Sequence, residues 1–113
     1  DADRFRRFSG LTYLCLNGTK LDDDTIGAMV RMLPNLQHLC LKGTSIDGSC
    51  LDQVASLGQL RELLLARTGV DDGDLQRLVP LRRLEQIDLE LTAVTPNGRA
   101  WLVSQFPNLE ILP

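Results

Sequence analysis

The chain has 113 residues, which is enough for one domain of ordinary size. Its 43% hydrophobic and 24% charged residues are typical of globular proteins and exclude a disordered chain, because they supply the apolar material of a core. The net charge of −3 argues against a nucleic-acid partner, because proteins that bind nucleic acids usually carry an excess of basic residues. No apolar run approaches the roughly 18–20 residues that span a bilayer.

Residues 1–10 are predicted to belong to a partial repeat whose strand is missing. Phe5 and Phe8 take the positions that Leu78 and Leu81 have in a later unit, which predicts a helix. The sequence starts without methionine or a signal peptide and ends on proline. We therefore expect the N-terminus to be a cut end and the C-terminus to be a native one.

A twelve-residue phrase then occurs twice: LTYLCLNGTKLD begins at Leu11, and LQHLCLKGTSID begins at Leu36. The frame L-x-x-L-x-L-x-x-T-x-[L/I/V] occurs two more times, so the sequence contains a true internal repeat. The leading leucines are 25, 24, 24 and 25 residues apart: Leu11, Leu36, Leu60, Leu84 and Leu109. One domain, 1–113, is predicted, with units at 11–35, 36–59, 60–83 and 84–108 and a terminal strand at 109–113.

Each unit combines two periods. The L-x-L core alternates, as in a short strand with one buried face. Apolar residues then recur in steps of three, as at Leu51, Val54 and Leu57, which predicts a helix with one apolar stripe. A single unit cannot bury its own apolar face, whereas stacked copies can. Helix starts are predicted at four capping residues: Asp22, Asp47, Asp71 and Thr95, the last followed by Pro96.

The fourth unit departs from the frame, because Arg99 stands where the other units have an apolar residue. We expect its helix to bury Ala100, Val103 and Phe106 instead, and to leave Trp101 partly in solvent.

This frame resembles that of the leucine-rich-repeat family over essentially the whole chain. The resemblance implies an α/β fold: a right-handed, horseshoe-shaped solenoid with parallel strands on the concave face and helices on the convex face. Many family members carry Asn where this chain has Thr19, Thr44, Thr68 and Thr92, and the T-x-[IV]-D frame looks most like bacterial repeats. A Thr hydroxyl is shorter than an amide and offers one donor. Thr44 and Thr68 are therefore predicted to be buried, with hydroxyls bonded to neighbouring backbone.

The residues between the frame leucines are expected to point to the concave surface, about 4.8 Å apart on neighbouring strands. Glu62, Asp88 and Glu90 are expected to form an acidic end, with His38 and Lys42 toward the other side. The candidate partner-binding residues are Tyr13, Cys15, His38, Cys40, Glu62, Leu64, Asp88 and Glu90.

Three interpretations of this surface stay open: a solvated sheet without a ligand, a protein-binding surface with an apolar column and a polar rim, and a thiol or metal site. The third would use Cys15, His38 and Cys40, but it lacks a fourth ligand, so no metal or cofactor is predicted. The three cysteines are expected to be free thiols of a cytoplasmic protein, with Cys15 and Cys40 reacting faster than Cys50.

No catalytic constellation is recognisable: the sequence has no Ser–His–Asp set, glycine-rich phosphate loop or calcium loop. It favours a non-catalytic module that binds a protein partner with a basic surface through the concave strand face. Tyr13 and Leu64 on that face, and Arg77 and Arg82 on the helical side, are expected to be exposed. The alternative is a substrate-recognition segment of a larger ubiquitin-ligase-type or effector protein. No nucleic-acid or membrane partner is expected.

Overall fold

The computed structural model describes residues 10–112 and contains, within them, one parallel sheet of five short strands. Each strand is joined to the next by a helical segment, so every unit adds one strand and one helix. This is the α/β solenoid that the repeat frame predicts. The helix expected at Phe5 and Phe8 and the terminal Pro113 lie outside the described residues. The strands are adjacent in chain order: β1 Tyr13–Cys15, β2 His38–Cys40, β3 Glu62–Leu64, β4 Gln86–Asp88 and β5 Glu110–Leu112.

Helices form the layer opposite the sheet. They are α1 Asp23–Arg31, α2 Leu51–Val54, α3 Asp72–Leu75 and α4 Pro96–Gln105, and a 3-10 turn, Gln76–Leu78, continues α3. The strands line the concave side of the arc and the helices its convex side, in a body 43 × 27 × 18 Å in extent. Within residues 10–112, no helix is both long and apolar enough to cross a membrane.

The core lies between the two layers and is built from the frame leucines. In the interior units, Leu39, Leu41, Leu63 and Leu65 are fully buried. The predicted helical stripes complete the core, and their six residues are at most 2% exposed: Leu51, Val54, Leu57, Leu75, Leu78 and Leu81. The predicted combination of a strand period and a helical period is therefore confirmed in the two interior units.

The frame threonines close the turn that follows each strand. Thr44 and Thr68 are buried, and their hydroxyls donate to the carbonyls of Leu41 and Leu65 at 2.8 and 2.7 Å, as predicted. The residue before each threonine has a left-handed backbone, which glycine adopts freely and other residues adopt at a cost. The φ angles are 72° at Gly18, 67° at Gly43, 59° at Arg67 and 55° at Leu91.

Three of the four predicted helix caps are confirmed. Asp22, Asp71 and Thr95 each accept a hydrogen bond from an amide in the first turn of the following helix. The prediction is wrong for Asp47, because α2 begins four residues later. The Asp47 carboxylate instead accepts from the amide of Ser49 at 3.0 Å and stabilises the turn before that helix.

The helix of the fourth unit buries other residues than those predicted. Ala100 is exposed, Val103 is 50% exposed, and Leu102 is fully buried instead. Phe106 packs against the core as expected, although only partly, and Trp101 is partly buried there as well. The expected rotation of the helix away from the frame does not occur.

Arg99 explains why the rotation is unnecessary. It keeps the frame position that is apolar elsewhere, and its guanidinium donates to the carbonyls of Leu89 and Leu112 at 3.2 and 3.4 Å. Such hydrogen bonds offset the desolvation of a charged group, so the side chain can lie partly buried among backbone carbonyls.

The last strand is shifted by one residue from the alignment of leading leucines. Counting from Leu84 and Leu109 would place Leu112 opposite Ile87, whereas the structure pairs Ile87 with Ile111. Leu109 still packs against the core. The fourth unit therefore contributes a strand spacing of 24 residues, from Ile87 to Ile111, rather than 25.

Aspartates at helix starts connect neighbouring units. Asp23 accepts hydrogen bonds from three amides of the next unit: Asp47 at 2.8 Å, Gly48 at 3.2 Å and Cys50 at 2.9 Å. Desolvation opposes ionisation of this carboxylate, but the amides outweigh it and lower the pKa of Asp23. Asp72 holds the following unit in the same way: the hydroxyl and the amide of Thr95 donate to it and lower its pKa.

Candidate binding surface on the concave side

The outward-pointing residues of the strands form a continuous surface, which we call the strand face. The parallel register aligns its residues in rows across the sheet. Glu90 follows β4 at the edge of this surface. The structure thus brings all eight predicted site residues together, while their part in binding stays a prediction. The first row contains Tyr13, His38, Glu62, Gln86 and Glu110, and the second contains Cys15, Cys40, Leu64, Asp88 and Leu112.

Tyr13 is the largest exposed side chain of the strand face, with 56% of its surface accessible. Its ring lies 6.1 Å from the His38 ring, centroid to centroid, at an interplanar angle of 42°. The Cys40 thiol and the Tyr13 hydroxyl share a hydrogen bond of 3.8 Å, and this bond is the main reason that the pKa of Tyr13 is raised. An aromatic ring at the N-terminal end of the sheet is thus oriented by two polar neighbours on β2.

The three thiols are free, as expected, but they differ in exposure. Cys15 is exposed, whereas Cys40 is 2% exposed, and the expected order of reactivity toward reagents stays a prediction. Burial comes first among the causes that raise the pKa of Cys40. Burial also raises the pKa of Cys50, which directly precedes α2 and whose amide donates to Asp23.

Contacts between basic and acidic side chains cross the strand face from one unit to another. His38 Nδ1 lies 3.5 Å from Glu62 Oε1, and Lys42 Nζ lies 3.1 Å from Asp88 Oδ2. The expectation of an acidic end with the basic groups on the other side is therefore only half correct. Of the three predicted acids, Glu62 and Asp88 have basic partners, and Glu90 is exposed beyond them.

The Lys42–Asp88 pair spans the width of β3, because its members follow β2 and belong to β4. Asp88 is 4% exposed and also accepts from the amide of Glu90 at 3.0 Å. Ala66, the residue at the corresponding level of the unit between them, is 4% exposed. The small methyl group of Ala66 leaves room for the Lys42 side chain to reach Asp88. The middle of the strand face therefore contains a buried carboxylate that is paired with a lysine.

An open groove of about 480 Å³ runs along the N-terminal ends of β2 to β5. Sequence reasoning missed three charged residues that line it: Arg61, Glu85 and Glu110. The available signal was their position: Arg61 and Glu85 directly follow a leading leucine. Arg61 Nη1 lies 4.0 Å from Glu85 Oε2, and the Gln86 amide donates to Glu110. The groove therefore combines three carboxylates, counting Glu62, with one guanidinium.

Two further expectations about exposure need correction. Leu64 is only partly exposed, and Arg77 is held by Asp52 at 3.1 Å and by Asp74 at 3.7 Å. Arg82 is exposed, as expected. Within residues 10–112, no group of three or more His, Cys, Asp or Glu side chains is placed to hold a metal ion.

Comparisons with known proteins agree with this architecture. No protein-family model matches the sequence, and no curated protein is similar to it. Among solved structures, an internalin from Listeria monocytogenes matches 90% of this chain with a TM-score of 0.70 and 19% identity. The actin-binding site 2 of leiomodin-1 matches 98% of this chain and 75% of its own, with a TM-score of 0.77 and 12% identity. A leucine-rich-repeat protein from Leptospira interrogans matches 98% of this chain with a TM-score of 0.63 and 20% identity.

The chain has the leucine-rich-repeat fold. Its frame, its parallel sheet and these neighbours agree on that point. The chain spans 28% of the internalin and 33% of the Leptospira leucine-rich-repeat protein. At such identities the likeness concerns the fold, so the similarity of the Thr-containing frame to bacterial repeats stays a prediction.

Proposed function

We propose that this leucine-rich-repeat domain is a non-catalytic module that binds a protein partner through its strand face. Support comes first from the fold, which the chain shares with the actin-binding site 2 of leiomodin-1. The observation that carries the proposal is Tyr13, a 56% exposed aromatic side chain on a rigid sheet. Aromatic residues often supply much of the binding energy of an interface, and a rigid backbone loses little entropy on binding.

The charges of the groove favour a partner with a basic surface. Three carboxylates, those of Glu62, Glu85 and Glu110, line it together with the single guanidinium of Arg61. Glu90 adds an exposed carboxylate at the other edge of β4. Such an arrangement accelerates the approach of a cationic surface and orients it, more than it increases the final affinity.

The test compares two double variants for binding to a partner captured by the intact chain. The strand-face variant is Tyr13→Ala with Glu85→Lys, and the matched helical-side variant is Arg82→Glu with Arg31→Glu. All four side chains are exposed, so both variants should keep the urea unfolding midpoint of the parent.

We expect the strand-face variant to lose binding by more than tenfold, which corresponds to about 1.4 kcal/mol or more. The helical-side variant should bind like the parent. Adding Glu90→Lys should mainly slow association and weaken its salt dependence. If the helical-side variant loses binding and the strand-face variant does not, the proposal fails and the convex side becomes the candidate surface.

A further inference from the structure

Two cysteines of the strand face are direct neighbours across the sheet. Cys15 is the last residue of β1 and pairs in register with Cys40, the last residue of β2. In-register residues of neighbouring strands lie about 4.8 Å apart, and their side chains point to the same side. This separation falls within the range of about 4.4–6.8 Å between the Cα atoms of disulfide-bonded cysteines.

The two thiols also have complementary environments. Cys15 is exposed, so a small oxidant in solution can reach it, whereas Cys40 is 2% exposed and is reached most directly from Cys15. The two side chains already interact in the reduced state. The pKa of Cys40 is shifted first by burial, then by the Tyr13 contact, and then by Cys15. Redox-sensitive cysteines are often solvent-accessible and lie next to a second cysteine that can resolve the oxidised one, as Cys15 and Cys40 do.

We propose that Cys15 and Cys40 form a reversible disulfide when the protein meets a peroxide, and that this bond regulates binding at the strand face. The regulatory part rests on the proposed function, whereas formation of the bond does not. Cys15 is the residue oxidised first, and Cys40 is the resolving thiol.

The reaction balances with hydrogen peroxide as the oxidant. The Cys15 thiolate attacks one peroxide oxygen, the O–O bond breaks, and the leaving hydroxide takes up a proton to become water, which leaves a sulfenic acid at Cys15. The Cys40 thiol then attacks the sulfenic sulfur, the S–O bond breaks, and a second water leaves with the Cys40 proton. Two thiols lose two electrons, and one peroxide becomes two waters.

The disulfide would change the surface through Tyr13. In the reduced protein the Tyr13 hydroxyl shares a hydrogen bond with the Cys40 thiol, and oxidation removes the thiol proton. Disulfide Cβ atoms lie about 3.8 Å apart, so β1 and β2 would have to approach each other by roughly 1 Å at this point. A bond formed under such strain is more easily reduced than a structural disulfide, which suits a reversible modification.

Cys50 provides an internal control. It is 1% exposed and lies on the helical side, and burial suppresses ionisation of its thiol by raising its pKa. A single peroxide treatment therefore compares the neighbouring thiols of Cys15 and Cys40 with the isolated thiol of Cys50 in one molecule.

The first experiment treats the reduced full chain with hydrogen peroxide, then unfolds it and counts thiols, with the intact mass as a second readout. We expect one remaining thiol, that of Cys50, and a mass lower by two hydrogen atoms in a monomeric product that dithiothreitol restores. Cys50→Ser should form the same bond. Cys40→Ser should stop at a sulfenic acid on Cys15 that dimedone traps, and Cys15→Ser should keep its other two thiols.

Three results would overturn the bond: all three thiols persist, Cys15 reacts to sulfinic or sulfonic acid while Cys40 stays reduced, or two copies become joined through Cys15. The second experiment measures partner affinity of the Cys50→Ser protein before oxidation, after it, and after re-reduction. A reversible loss of about fivefold or more supports regulation. If the bond forms and affinity does not change, regulation is refuted, and the strand-face variants still decide the proposed function independently.

Discussion

The interior units, residues 36–83, and the first described unit, residues 11–35, share one sequence frame but not one degree of burial. Leu39, Leu41, Leu63 and Leu65 are fully buried in the interior units. The frame leucines of the first unit are only partly buried and pack against the core from one side: Leu11, Leu14, Leu16 and Leu21. The same residue types in the same frame therefore have different environments.

The difference shows that the frame leucines of a unit are buried by the neighbouring units rather than by the unit itself. An interior strand has a paired strand on each side, so its leucines lie between two neighbouring units. In a repeat protein, each unit contributes its own stability and two interfaces. A frame leucine in the interior should therefore contribute much more to stability than its equivalent at an end.

The largest effect is expected from truncating a frame leucine. Leu63→Ala removes a fully buried side chain and should lower the free energy of unfolding by about 2–5 kcal/mol, because it leaves a cavity between neighbouring units. Leu14→Ala, at the equivalent position of the first unit, should cost less than half as much. Urea unfolding of both variants measures the ratio, and equal losses would contradict the dependence on neighbours.

The frame threonines extend the comparison to a hydrogen bond. Thr68→Val keeps the shape of the side chain and removes the hydroxyl that donates to Leu65, which should cost about 1–3 kcal/mol because the site is buried. Thr19→Val removes the same bond, to Leu16, where the backbone is only partly buried, and should cost less. An unfolding midpoint of Thr68→Val in urea that matches the parent would refute the structural role of the threonines.

The turn before each threonine offers a stabilising change. Leu91 has a φ of 55° and is 67% exposed, so Leu91→Gly relieves backbone strain without losing packing. We expect a net gain of about 0.5–1 kcal/mol, because the entropy of glycine in the unfolded chain offsets part of the relief. Gly43→Ala at the equivalent position should instead destabilise the protein. Thermal unfolding distinguishes the two signs, and a loss of stability in Leu91→Gly would contradict the assignment of strain.

The smallest expected effect concerns pH. The folded-state pKa of Asp23 is lowered, so the stability it supplies is fully present above its unfolded pKa of about 3.9 and is lost as the pH falls through the folded value. Asp23→Asn should therefore reduce the drop in urea midpoint between near-neutral and acidic pH. Asp24→Asn is the control, because the exposed Asp24 side chain makes no ion pair or hydrogen bond with residues 10–112. The idea fails if both variants keep the full pH dependence of the parent.

The fold could be predicted because the strand period and the helical period both recur in the repeated frame. Burial of the leucines and of Thr44 and Thr68 followed from their recurrence at fixed positions. Register was predictable within the frame and failed at the last strand, where Ile111 rather than Leu112 faces Ile87. The terminal strand lacks a further unit that would fix its spacing by repetition.

The surface was less predictable, because side-chain reach depends on more than position. The sequence places Lys42 and Asp88 in different units, and nothing in a one-dimensional frame reveals that the lysine crosses β3 to reach the aspartate. Cys40 occupies an outward-pointing position, yet its neighbours bury it. Arg99 was misjudged for a related reason: its long side chain can stay partly buried by bonding to carbonyls.

The aspartate bridges between units set a rule for lengthening this solenoid by gene duplication or design. Duplicating residues 60–83 alone would place Asp72 of the first copy against Asp71 of the second, which lacks the hydroxyl of Thr95 and whose amide already donates to Asp74. Duplicating residues 36–83 would instead give Asp72 the same turn, Asp47 to Cys50, that already binds Asp23. The smallest insertable module of this protein is therefore a pair of units.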